Sequence, residues 1–196
     1  MSGKLLPFRR TRPDTVELSD EALLAACAAG DPTALGELFD RYDDAVRRFL
    51  SRACAMPVPD LDDLVHATFV EVYRSAGRFR GKASAKTWIF GVAVNVSRHF
   101  IRSETRRRRF LVNFASVPRS ESRPQEAIEN RQILNRITSA LAGLPPTQRV
   151  AFVLCELEGL TGAEAARAMG LRQGTLGRQL HNARKALRAV VEGGAP

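Results

Sequence analysis

Cysteine is scarce in this 196-residue chain, and what there is points away from cross-linking. Cys27, Cys54 and Cys155 are odd in number and never fall in CxxC spacing, so neither a disulfide framework nor a zinc site is indicated. They read as small buried apolar residues of a cytosolic protein. Histidine is as sparse, with its three residues in separate segments. Asp62 and His66 share i,i+4 spacing, but two ligands alone are weak grounds for a metal. No paired carboxylates fall in a pocket pattern, so no catalytic residue, cofactor or metal is expected. No apolar run approaches the ~20 residues that cross a bilayer. "MSGKLLPFRRTRPD" lacks both an apolar core of secretory length and a small-residue cleavage site. The expectation is a cytoplasmic protein without membrane insertion. Strand-like alternation persists nowhere, which removes β and α/β folds.

What the chain has in excess is positive charge. Lys and Arg number 30 against 21 Asp and Glu, for a net charge of +9, and the arginines cluster. That balance favours a polyanion, nucleic acid first, over charge spread for solubility. The hydrophobic fraction of 44% is ordinary for a globular protein.

The punctuation is helical almost throughout, giving an all-α fold. Ser19 caps "DEALLAACAA", which Gly30 ends, and Asp31 caps a second helix with Pro32 in its first position. Leu35, Leu38, Phe39, Tyr42, Val46, Phe49 and Leu50 form that helix's apolar stripe. "MPVPD" breaks it. Asp60 opens a third helix with Leu61, Leu64, Val65, Phe69, Val72 and Tyr73 inward. After the basic loop "GRFRGKAS", a fourth helix runs from near Ser84 into "RSETRRRRF". Polar "NFASVPRSESRPQ" reads as a flexible linker between two small domains. The layout predicted is a basic extension at 1–18, a first domain at 19–110, a linker at 111–123 and a second domain at 124–192. In the second domain one helix from Pro124 carries Ile128, Ile133, Leu134, Ile137 and Leu141. Another after "GLPP" carries Val150, Phe152, Val153, Leu154 and Leu157.

The segment "GLTGAEAARAMGLRQGTLGRQLHNARKALR" is the most informative. Thr161 and Glu164 fit a capping box, Gly170 stops the short helix, and a second helix starts near Gln173 with Leu176, Leu180, Ala183 and Leu187 inward. Two such helices around a glycine turn make a helix-turn-helix, whose second helix enters the major groove. Its outward residues are Arg172, Gln173, Thr175, Arg178, Gln179, His181, Asn182, Arg184 and Lys185. Arg and Gln forks suit guanine and adenine edges, while cations farther along suit phosphates. Gly177 is costly in mid-helix. It either permits close approach to DNA or is a tolerated cost.

The fourth helix has a second face beside its buried stripe of Ile89, Val92, Ala93, Val96 and Phe100. Trp88, Asn95, Arg98, His99, Arg102 and Arg106 share an arc of about 100° there. They lie near a loop with Arg78, Phe79, Arg80 and Lys82. Cations interleaved with aromatics suit an unpaired strand, because charges follow the backbone and rings stack on bases. Equally, Trp88 can turn inward to cap the core. The third helix is acidic on its outer side, through Asp60, Asp62, Asp63 and Glu71, which favours a protein partner over phosphate. The helix dipole alone accounts for Asp60 and Asp62.

Together, "LDDLVHATFVEVYRSAGRFRG", "TWIFGVAVNVSRHFIRSETRRRR", "LAGLPPTQRVAFVLCELEGLTGAEAARAMGL" and "GTLGRQLHNARKAL" resemble bacterial sigma factors of the sigma-70 family. The specific likeness is to the extracytoplasmic-function (ECF) group, from Asp20 to Val191. The first two stretches resemble region 2 and the last two region 4. The resemblance implies a subunit that binds core RNA polymerase, finds promoters and helps melt them. Region 4 would read the −35 element as duplex through the helix-turn-helix residues above. Region 2 would hold the melted −10 strand with Arg80, Lys82, Ser84, Lys86, Trp88, Asn95, Arg98 and Arg102. Core contacts would come from Asp62, Asp63, His66, Ala67 and Val70 on the β′ clamp helices, and from region 4 on the β flap. An anti-sigma factor is a further partner the resemblance implies. His66 and Ala67 stand where the family usually has Gln and Glu. His99 replaces a common Asp, and Gly177, Arg178, Gln179 and Asn182 depart from the usual recognition residues. A promoter other than the family's commonest is therefore expected. The rivals are a stand-alone helix-turn-helix regulator, which would bind duplex without polymerase, and an RNA-binding protein using the same basic helices.

Overall fold

Side-chain caps set where the helices begin. The computed structural model describes residues 18–55, 61–112 and 138–192. Helix α1 (Asp20–Ala28) starts where Ser19 Oγ accepts the N–H of Ala22 at 3.2 Å. Helix α2 (Pro32–Cys54) starts where Asp31 Oδ1 accepts from the Thr33 N–H at 2.8 Å, with Pro32 in the first position, where an N–H would have no helical partner anyway. It ends at Ala55, whose φ of 45° turns the chain. Helix α3 (Leu61–Ser75) runs into a short 3₁₀ turn, Ala76–Arg78, and α4 (Ala85–Val112) follows. At its start Ser84 Oγ accepts from the Thr87 N–H at 3.2 Å. The expected stripes meet in one core. Leu38, Val46, Phe49 and Leu50 of α2, Val65, Phe69 and Val72 of α3, and Ile89 and Ala93 of α4 are all at most 2% exposed. Each large side chain so buried is worth about 1.5–3 kcal/mol.

The second half holds α5 (138–143), α6 (Pro146–Phe152), a π turn (Val153–Leu157), α7 (Gly162–Met169) and α8 (Gln173–Glu192). The helix expected from Pro124 falls outside the described residues apart from this end, where Leu141 is buried. The extension up to residue 17, Asp60, and linker residues 113–123 also lie outside them; 111 and 112 complete α4. The capping box is reciprocal: Glu164 N–H donates to Thr161 Oγ1 at 3.3 Å, and Thr161 N–H to Glu164 Oε2 at 2.9 Å. Gly170 closes α7 with a left-handed φ of 63°, a conformation that favours glycine. Leu176 and Ala183 of α8 are buried as expected, whereas Leu180 and Leu187 are only half-buried. Leu157, one of the apolar residues expected on the helix after "GLPP", is 43% exposed. The π turn widens the helix from Val153 and carries its end off the 3.6-residue register.

Both helical units are thus present, but they also pack on each other, which sequence periodicity gave no reason to expect. One buried cluster contains Phe49 and Phe90 of the first and Leu154, Met169 and Leu176 of the second. Helix α7 crosses α4 at Gly91, where an added Cβ would stand 3.5 Å from the Ala168 carbonyl oxygen. Arg149 of α6, 5% exposed, reaches the end of α2. Its Nε donates to the Ala53 carbonyl at 2.8 Å and its Nη1 to those of Ala142 and Leu144 at 3.0 and 3.1 Å. Burial pushes its pKa down from the ordinary value. The cation nevertheless lies at the negative end of the α2 dipole, which favours it.

Candidate nucleic-acid interface

On helix α4 the expected Ile89, Val92 and Ala93 are buried, Val96 and Phe100 are only half-buried and border a cleft, and α7 packs on another side at Gly91. Between them lies a cleft of about 1140 Å³, whose walls include Arg78, Phe79, Arg80, Lys82, Trp88, Asn95, Arg98 and Arg106 from the first half and Arg167–Gly170 from the second. Trp88 is half-buried and meets the Phe79 ring edge-on, with centroids 5.7 Å apart. It therefore caps the core and still borders the cleft, so the two readings of this residue are compatible. Asn95 is exposed.

Of the candidate strand residues, Arg80, Lys82, Trp88, Asn95 and Arg98 line the cleft, and Ser84, Lys86 and Arg102 lie outside its lining. Arg98 is not a free cation on an open face. Its Nη2 donates to the Met169 carbonyl at 2.9 Å, and burial, then the nearby Arg102 charge, pushes its pKa down. Lys86 Nζ likewise donates to the Glu158 carbonyl at 3.1 Å. Arg167 was missed from sequence because it comes to the cleft from α7, and a helix-turn-helix pattern does not say what that helix rests on. Glu71 puts one carboxylate among the cations.

Of the residues expected to read duplex, Arg172, Gln173, Arg178, His181, Asn182, Arg184 and Lys185 are exposed on or beside α8, and Thr175 and Gln179 are half-buried. Arg184 is already engaged: its Nη2 and Nε contact Glu156 Oε1 at 2.5 and 3.1 Å. That exposed pair stiffens the arginine rather than adding much stability.

On α3, Asp62, Asp63, His66 and Ala67 are exposed and Val70 is half-buried. Asp62 pairs with Arg47, which also contacts Asp43 at 3.3 Å. Ala67 also lies on the cleft wall. Among the described residues no group of three or more His, Cys, Asp or Glu could hold a metal, and no helix is long and apolar enough to cross a membrane.

Comparison with known proteins matches both halves. A family model described as Sigma-70 region 2 covers residues 38–107, and one described as Sigma-70, region 4 covers residues 134–187. The ECF RNA polymerase sigma-E factor of Escherichia coli (strain K12) is 28% identical over 185 residues, 90% of this chain and 96% of that protein. The ECF RNA polymerase sigma factor SigE of Mycolicibacterium smegmatis is 30% identical over 91% of this chain and 71% of its own length. Among solved structures, CnrH in complex with the cytosolic domain of CnrY aligns with a TM-score of 0.67 and 26% identity, over 90% of this chain and 99% of that one. Sigma factor RpoE from Bartonella quintana, solved with the anti-sigma factor NepR, aligns with a TM-score of 0.65 at 21% identity, over 82% of this chain and 98% of that one, a likeness of fold.

Proposed function

The chain belongs to the sigma-70 family of RNA polymerase sigma factors, in the extracytoplasmic-function group, and from that premise we propose how its parts divide the work. It has no reaction of its own to catalyse; the polymerase does the chemistry, and this subunit supplies binding free energy. Residues 19–110 act as region 2 and 124–192 as region 4, joined through 111–123. Helix α8 reads the −35 element as duplex: Arg172, Gln173, Thr175, Arg178, Gln179, His181 and Asn182 face base edges, and Arg184 and Lys185 face phosphates.

The α4 cleft takes the unpaired −10 strand. Lys82, Arg80 and Arg98 follow its backbone while Trp88 and Asn95 meet its bases. Stacking is worth about 1–3 kcal/mol per base, comparable to the cost of unstacking one step, so capture of a base can hold the duplex open. The observation that carries this reading is the juxtaposition of Trp88 and Phe79 with a ring of cations around one cleft. The acidic end of α3, with Asp62 and Asp63 exposed, docks on core polymerase, and His66, Ala67 and Val70 extend that contact. We place the protein in the cytoplasm, where polymerase acts. An anti-sigma factor, the kind of partner with which the sigma factor RpoE of Bartonella quintana was solved, is part of the proposal.

A gel-shift experiment tests it against the regulator and RNA-binding readings. Specific binding to fork-junction promoter DNA is expected only with core polymerase present, since each half makes few, salt-sensitive contacts. Tight specific binding of promoter duplex by the free chain would favour a stand-alone regulator, and preference for RNA would favour the third reading.

A further inference from the structure

We infer that Glu156 is a positioning residue for duplex binding: its carboxylate fixes Arg184 in advance, so that the guanidinium meets a phosphate by one end and in one orientation. The inference rests on the assignment of Arg184 to phosphate.

Arg184 is a long cation on α8, and a free arginine samples many rotamers in water. Here it is held from another element. Its Nη2 and Nε both donate to Glu156 Oε1, at 2.5 and 3.1 Å, across 28 positions of sequence. The side of the guanidinium that carries Nε and Nη2 is thereby occupied, and the end with Nη1 is left for a further acceptor. The two side chains are 56% and 34% exposed, so a phosphate can reach the pair. That same exposure limits what the pair contributes to folding. An ion pair that adds little stability and yet orders one cation is suited to recognition.

Glu156 reaches α8 from inside the π turn, Val153–Leu157. The turn has a cost, since Leu157 at its end is 43% exposed. Such turns are frequent at functional sites. Binding orders side chains at an interface, and ordering a rotamer-rich one weakens binding by about twofold to tenfold. Glu156 removes that penalty for Arg184 before DNA arrives. Its own charge opposes a phosphate. A glutamine, which keeps an oxygen acceptor without the charge, separates orientation from repulsion.

The test uses the full chain and a labelled DNA duplex of randomised sequence at several salt concentrations, since a phosphate contact is independent of sequence. Arg184→Ala is made in the wild type, in Glu156→Ala and in Glu156→Gln. Each loss is read within one background, so any change in stability caused at Glu156 itself drops out. In the wild type, Arg184→Ala is expected to weaken binding about tenfold and to lower the salt slope by about 1. In Glu156→Ala the same change should cost about threefold or less, because an untethered arginine must be ordered by the DNA. Glu156→Gln should restore the full loss. The inference is overturned if Arg184→Ala costs as much in Glu156→Ala as in the wild type, or if Glu156→Gln fails to restore the loss. Failure of the phosphate assignment shows differently, and removes the inference with it: Arg184→Ala would then leave affinity and salt slope unchanged in all three backgrounds.

Discussion

Gly177 sits within α8, yet a Cβ built on it meets nothing within 4 Å. Packing therefore gives no reason for glycine, and the position is exposed on the helix proposed to read duplex. Gly177→Ala should raise stability by roughly 0.5–1 kcal/mol in urea unfolding, because a helical alanine loses less backbone entropy. The same methyl should weaken duplex binding if the α8 backbone closes on DNA there; unchanged binding in a stabilised protein would show a merely tolerated cost. Cys27 and Cys54 are buried as the sequence indicates, whereas Cys155 is only half-buried. Burial raises all three thiols, Cys54 to about 11 despite nearby Arg149, which keeps it an unreactive core residue. Other residues were less legible. Trp88 carries its basic-face neighbours in the sequence, but its edge-on contact with Phe79 needs the folded loop. The contact of Arg98 with the second half was unreadable because its partner is a backbone carbonyl 71 positions away, and carbonyls leave no mark in sequence.

Elements were legible where their signals are local. Ser19, Asp31, Thr161 with Glu164, and Gly170 each bound a helix through groups within a few residues, so their types and spacing suffice. The π turn at Val153–Leu157 has no such signal, so the exposure of Leu157 at its end was not legible. Helix α8 can be divided further by experiment. Arg178, exposed in the first half of the helix, should discriminate bases: Arg178→Ala is expected to lose about 1–3 kcal/mol at one base pair and relax preference there. Lys185, farther along, should touch phosphate. Lys185→Ala would then weaken all promoters alike and reduce the salt slope of binding by about 1. Competition binding across a promoter library at several salt concentrations separates these outcomes. Equal loss for both variants on every sequence would count against base reading by α8.

At the scale of the whole molecule, periodicity shows two helical units but not their contact. Each unit closes its own stripes, and the surfaces that meet are small residues, backbone and a few cations: Gly91 on Ala168, Arg98 on Met169, Arg149 on Ala53. None of these departs from what a solvated surface would carry in sequence. The consequence is cooperative. A shared buried cluster couples the halves, so the free chain should unfold in one calorimetric transition, with van't Hoff and calorimetric enthalpies equal. Arg149 is the sharpest probe of that coupling, because it caps α2 from α6 while holding the Ala142 and Leu144 carbonyls of its own half. Arg149→Met would leave these acceptors without their donor, and each buried one so left costs about 1–3 kcal/mol. Exposure on opening would relieve the Ala53 carbonyl. The expected scan therefore shows the single transition split in two, with the second half melting first. A single transition merely shifted downward would mean that coupling runs through the α4–α7 contact alone. Two transitions already in the wild type would mean the halves are joined only by the chain.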